Sequence, residues 1–137
     1  MGGAKRHLAA VGRPTIVVGW SAGGLVAFEL GRLLGNTTVV LLDTYLDITD
    51  PLTDAPAVHR AHVDAARVYC PQPSTASVVL IQAAAENAGE RHRAAEQWRE
   101  RCVAEFTHHV LPGDHFSMLH PPCVGELARI VNALVCR

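Results

Sequence analysis

Aromatic residues make up only 5% of the 137 positions. That leaves too few stacking surfaces for a protein that reads single-stranded nucleic acid. Neither charge dominates. Twelve Lys and Arg stand against 13 Asp and Glu, for a net charge of −1. No basic field is therefore available to hold a phosphate backbone or an anionic membrane. The four cysteines, Cys70, Cys102, Cys123 and Cys136, form no C-x-x-C pair. That spacing argues against zinc, and no metal is expected. The thiols read as reduced and buried or inert. No apolar run approaches the length of a membrane span. The opening Met1-Gly2-Gly3-Ala4-Lys5-Arg6 lacks the apolar centre of a signal peptide, and Arg6 stands where a myristoylation signal needs Ser or Thr. These absences predict a cytoplasmic chain with no nucleic-acid or membrane partner.

What is present suits one α/β domain over 1–137: 49% of the residues are hydrophobic and 18% charged. His7 to Gly12 reads as the end of a helix, with Lys5-Arg6-His7 as a solvated face. Thr15 to Val18 is apolar throughout, as expected of a parallel strand covered on both sides. A helix follows over Ala22 to Leu34, with Gly35 as its stop. Thr38 to Leu42 is a second buried strand ending at Asp43, so the unit is a βαβ crossover. Turn formers fill Ile48 to Pro56, and a helix is predicted over Ala57 to Tyr69. Val78 to Ala84 is a third strand. Glu90 to Phe106 reads as a charged helix around Trp98. Thr107 to Leu111 is a fourth strand, and Val124 to Val135 is a terminal helix with Leu127, Ile130, Val131 and Leu134 on one side.

The chain is organised around Gly19-Trp20-Ser21-Ala22-Gly23, which joins the first strand to the first helix. G-x-S-x-G in strand–turn–helix context is what a nucleophile elbow needs. The turn is sharp, and a side chain at 19 or 23 is expected to collide with the neighbouring strand or helix. The helix start aims free N–H groups at the reacting centre, and the N–H of Ala22 is the predicted oxyanion donor. The bland alternative is a glycine-rich turn with no chemistry. Late in the chain, Gly113-Asp114-His115-Phe116-Ser117-Met118-Leu119 follows the fourth strand. His115 is the candidate general base for Ser21. His108 and His109 alternate along a strand, so they cannot both meet one ligand.

Three separated motifs in order carry a resemblance: Gly19-Trp20-Ser21-Ala22-Gly23-Gly24 with Phe28-Glu29-Leu30, then Val40-Leu41-Leu42-Asp43, then Val110-Leu111-Pro112-Gly113-Asp114-His115-Phe116. From Thr15 onward the chain resembles a thioesterase domain of the α/β-hydrolase superfamily, closest to the terminal thioesterases of polyketide and nonribosomal peptide synthases. The resemblance implies a truncated α/β-hydrolase: a mainly parallel sheet of about four strands, flanking helices and a short lid over about 44–77. It implies a triad of Ser21, Asp43 and His115, with Asp43 lying 22 residues after Ser21. The rival acid is Glu86, after the third strand, and Asp114 reads as a residue that holds its own loop. The lid helix would roof an acyl channel, with His59 and His62 exposed.

The implied activity is release of a polyketide or peptide acyl chain, by hydrolysis or lactonisation through an acyl-Ser21 intermediate. No cofactor is implied beyond the phosphopantetheine arm that carries the substrate. The implied partner is an acyl or peptidyl carrier protein or a synthase module. The family places several strands before the elbow, whereas here 14 residues precede Thr15. One oxyanion donor would then be missing, a loss of roughly 100- to 1000-fold in rate, and the elbow strand would be a bare edge. The expectation is that a second copy, a partner chain or a rearranged N-terminal segment covers it, or that the chain is a fragment. Two readings compete with the enzyme: a weak or inactive thioesterase-like accessory subunit that docks on a carrier protein, and a general carboxylesterase.

Overall fold

Val, Ile, Leu and Thr dominate four short runs, and each run is a strand. A computed structural model describes residues 15–46, 61, 64–65 and 67–136. In it, β1 (Thr15–Trp20), β2 (Thr37–Leu42), β3 (Ser77–Ala83) and β4 (Phe106–Leu111) lie side by side in the order β1-β2-β3-β4. All three pairings are parallel. The predicted strand boundaries differ from these by one or two residues.

Alternation along the central strands sends side chains to two cores. Val39, Leu41, Val78 and Leu80 face α1 (Gly23–Leu34) and α2 (Ala88–Glu100), where they meet Leu25, Ala27, Phe28, Ala95 and Trp98. The rings of Phe28 and Trp98 pack with centroids 4.9 Å apart, joining the two helices. Val40, Leu42, Val79 and Ile81 face the other way, onto Leu127, Ile130, Val131 and Leu134 of α3 (Val124–Val135). The apolar side read from the sequence of α3 is therefore its packed side. The architecture is α/β, three layers deep, with α1 and α2 on one face and α3 on the other.

Two expectations change. The charged helix stops at Glu100 rather than running to Phe106. Its last turn tightens: the N–H of Arg101 bonds the carbonyl of Trp98, and that of Cys102 bonds Arg99. The N–H of Val103 then crosses to the carbonyl of Ser74, pulling the chain toward the sheet. Phe106 opens β4 instead. β1, read as covered on both faces, is an edge strand among the described residues, with Val18 46% exposed.

Of the predicted lid, residues 61, 64, 65, 67 and 68 are helical. At its far end the Tyr69 hydroxyl donates to Glu29 on α1 at 2.7 Å. Residues 57–60, 62, 63 and 66 of the predicted helix, with His59 and His62, the Ile48–Pro56 turns, and the His7–Gly12 segment with Lys5-Arg6-His7 lie outside the described residues. All four cysteines are unpaired. No helix among the described residues is long and apolar enough to cross a membrane.

Candidate active site

Parallel strands of similar length end together, so the residues just past β1, β2 and β4 meet at one rim of the sheet. Ser21 follows β1, Asp43 follows β2, and His115 lies on the loop after β4. The structure brings these three into one chain of hydrogen bonds. Ser21 Oγ lies 3.0 Å from His115 Nε2. His115 Nδ1 lies 2.6 Å from Asp43 Oδ2. A carboxylate only accepts, so Nδ1 carries the proton and Nε2 is free to accept from Ser21. Asp43 is 1% exposed. Its other oxygen, Oδ1, accepts from the N–H of Ala83 at 3.0 Å. Both carboxylate oxygens are thus spoken for, and the acid cannot rotate away from the imidazole.

The elbow has the backbone that its sequence predicts. Ser21 has φ of 56° and Asp43 φ of 49°, left-handed conformations that cost of order 1–3 kcal/mol each. The N–H of Ser21 bonds the carbonyl of Leu42 at 2.9 Å, fastening the turn to β2. Gly19 is required: a Cβ there would fall 2.3 Å from the carbonyl oxygen of Gly23. The expected collision at Gly23 does not occur, because a Cβ there meets open space. The crowded second glycine is Gly24, where a Cβ would lie 1.9 Å from the Thr44 hydroxyl. The N–H groups of Gly24 and Leu25 turn back to the carbonyls of Ser21 and Ala22. The donors of Ala22 and Gly23 precede the first intrahelical bond and remain available at the mouth of the site.

His115 is held from several sides. Asp114 Oδ1 accepts from the N–H groups of Phe116 and Ser117 at 2.9 and 2.7 Å, while the Asp114 N–H reaches the Ser117 hydroxyl. These backbone donors, Ser117 first, hold the Asp114 carboxyl below its ordinary range. Asp114 therefore shapes the loop, as expected. Trp20, next to Ser21, donates its indole N–H to the carbonyl of His115 at 2.9 Å. Its ring packs against the imidazole, centroids 4.9 Å apart. Phe116 stands edge-on to both rings and is 66% exposed, giving the mouth an apolar wall.

Glu86, the rival acid, forms no hydrogen bond to His115; its carbonyl accepts from Arg91 Nε at 3.2 Å. His108 and His109 do point to opposite faces. His108 Nε2 meets Gln82 Oε1 at 2.6 Å on the α2 side, and Gln82 Nε2 donates to the carbonyl of Arg91. His109 lines a cavity of about 210 Å³ beside Ile130 and Leu134 of α3, near the opposite ends of the strands from Ser21. Burial, then the nearby side chains of Arg99, His109 and Arg91, pushes the His108 imidazole below its ordinary range. The contacts of Trp20 and Thr44 at the site are invisible to periodicity, because each bond spans a distance in sequence that no local pattern encodes.

Solved structures share this fold. The wild-type Vlm2 thioesterase domain matches with a TM-score of 0.65 and 17% identity, over 86% of this chain and 67% of that one. The same domain with genetically encoded 2,3-diaminopropionic acid, bound with a dodecadepsipeptide, gives 0.66 and 20% over 86% and 65%. RedJ with a PEG molecule in its active site gives 0.67 and 22% over 86% and 60%. The chain is thus similar in fold to the Vlm2 thioesterase domain and to RedJ, and it spans 60–67% of the length of these three. No protein-family model and no curated protein sequence matches it.

Proposed function

We propose that the chain is a serine thioesterase. The observation that supports this best is the unbroken line from Ser21 Oγ through His115 to Asp43, at 3.0 and 2.6 Å. In this reading Ser21 Oγ attacks the carbonyl carbon of a thioester while His115 Nε2 takes its proton. Asp43 stabilises the imidazolium through Nδ1. The N–H of Ala22 donates to the oxyanion as the tetrahedral intermediate forms. The intermediate collapses, the carbon–sulfur bond breaks, and His115 returns the proton to the departing thiol. Water, or a hydroxyl of the acyl chain, then attacks the acyl-Ser21 ester by the same route, giving a free acid or a lactone.

The likeness to the Vlm2 and RedJ folds supports a polyketide or peptide acyl chain as substrate, carried on the phosphopantetheine arm of a carrier protein or synthase module. No other cofactor and no metal enters the scheme, and the compartment is the cytoplasm. A second reading is an accessory subunit of weak or no activity that docks on a carrier protein. It is favoured by β1, which lies at the sheet edge among the described residues. In solution a second copy or a partner chain covers that edge, and sedimentation tests this directly.

Incubation with a fluorophosphonate and with acyl-N-acetylcysteamine thioesters separates the readings. The enzyme forms a covalent adduct at Ser21 and releases thiol, and Ser21→Ala abolishes both. A folded wild type that gives neither adduct nor turnover leaves the accessory subunit. Faster cleavage of oxygen esters than of matched thioesters would point to a carboxylesterase.

A further inference from the structure

Thr44 has no part in the chemistry above, yet it bonds the backbone of Ser21 and follows Asp43 directly in the chain. It is 1% exposed. Its hydroxyl donates to the carbonyl of Ser21 at 2.8 Å, so it grips the nucleophile's own peptide group. Its carbonyl accepts from the indole N–H of Trp98 at 2.9 Å. Trp98 is fully buried and its ring packs, tilted, against Phe28 of the helix that begins at the elbow. A route therefore runs from the core, through Thr44, to the two residues of the site in left-handed backbone, Ser21 and Asp43.

Those two conformations persist only where the surroundings over-determine them. The N–H of Ser21 is held by Leu42 and that of Asp43 by the carbonyl of Ile81. The carbonyl of Ser21 accepts from the Gly24 N–H, and the Thr44 hydroxyl is its second donor. Gly24 leaves room for that hydroxyl, since a Cβ at 24 would occupy its place. An ordinary glycine of a helix start has no such reason to be bare. The missing side chain at 24 and the hydroxyl at 44 are two halves of one contact.

We infer that Thr44 is a positioning residue that fixes the spacing between Ser21 and the Asp43–His115 pair by buckling the elbow to the acid loop. This inference rests on the thioesterase reading for its kinetic consequence, although its geometric consequence does not. The decisive substitution is Thr44→Val, which keeps the shape and removes the hydroxyl; Thr44→Ser restores it. Misplacing a nucleophile by about 1 Å costs on the order of 100-fold. We therefore expect Thr44→Val to lower kcat on an acyl-N-acetylcysteamine thioester, and the rate of fluorophosphonate labelling, by about 10- to 100-fold. KM should hardly move, and Thr44→Ser should recover most of the rate.

The second readout needs no turnover. The Nδ1 proton of His115, shared with Asp43, gives a far-downfield proton resonance. It should be sharp in wild type and Thr44→Ser, and shifted or broadened in Thr44→Val. If Thr44→Val fails to fold, Thr44→Ala, which crowds nothing, takes its place. A folded hydroxyl-free variant with wild-type labelling and an unchanged His115 resonance overturns the inference. A wild type with the resonance but no adduct or turnover refutes the thioesterase reading alone, and the resonance of the variants still decides the role of Thr44.

Discussion

Replacing Asp43 by Asn changes one atom and, in this site, leaves the new amide no freedom. Oδ1 of Asp43 accepts from the buried N–H of Ala83. An amide at 43 must keep its oxygen there, because turning its NH2 toward Ala83 would oppose two donors and orphan a buried group, at about 1–3 kcal/mol. The NH2 is then forced toward His115 Nδ1, which must become an acceptor. The proton moves to Nε2 and faces Ser21 Oγ, where a base is needed. This wrong tautomer is worth about 10⁴ in kcat in serine hydrolases that use the same arrangement, or about 5.5 kcal/mol of barrier. We expect a loss of that order in thiol release from an acyl-N-acetylcysteamine substrate, with a melting temperature close to wild type because both hydrogen bonds survive in number. Glu86→Gln, measured beside it, should keep wild-type kinetics. An Asp43→Asn variant within about tenfold of wild type would remove Asp43 from the mechanism and break the tautomer argument with it.

Three further outcomes follow from particular contacts. Trp20→Phe keeps most of the ring but loses the bond to the His115 carbonyl, so phosphonate labelling should slow by about tenfold, from roughly 1–1.5 kcal/mol of lost hydrogen bonding; an unchanged rate would show that the loop needs no such tie. Gly24→Ala should destabilise by about 1–3 kcal/mol in urea titration through overpacking against Thr44, whereas Gly23→Ala, with open space ahead of it, should be neutral or stabilise by up to about 1 kcal/mol; equal effects would discredit the assignment of Gly24 as the crowded position. His108 is held below its ordinary range in the folded chain, so the unfolded chain binds a proton first as pH falls. Its contribution is complete above about pH 6.5, the unfolded value, and is lost as pH drops toward the folded value. Unfolding free energies from pH 7.5 to 5 should therefore fall more steeply for wild type than for His108→Gln, and parallel curves would contradict this.

The parts of the fold that the sequence discloses are those written in local patterns. Four runs of β-branched and aliphatic residues give four parallel strands, and the stripe of Leu127, Ile130, Val131 and Leu134 gives the packed side of α3. Ser21, Asp43 and His115 stand out for a related reason. Each is a polar group at the end of an apolar strand or in the loop beyond it, and their order along the chain is informative in itself. Other features depend on contacts between distant segments. Helix propensity gives no reason for α2 to stop before Val103, because the chain is drawn off by the carbonyl of Ser74, 29 residues earlier. Gly23 and Gly24 are indistinguishable as letters, and only the position of Thr44 separates them. The pairing of His108 with Gln82 joins neighbouring strands in a register that neither strand announces.

The topology explains why so few residues suffice for this arrangement. In a parallel sheet the carboxyl ends of adjacent strands lie together, and this is where open α/β sheets place their sites. Ser21 follows β1 by one residue and Asp43 follows β2 by one, and β1 and β2 are direct neighbours with Trp20 opposite Leu42. A left-handed residue at each strand end turns both chains outward at the same level. His115 follows β4, which lies two strands beyond β2, so it needs a longer reach. The Asp114–Ser117 turn and the Trp20 indole supply it by bending the loop back over the sheet. The two short connections are therefore fixed by backbone and core contacts, while the long one is fixed by side chains at the surface. Substitutions in the His115 loop should accordingly cost activity before stability, and those around Thr44 and Trp98 should cost both.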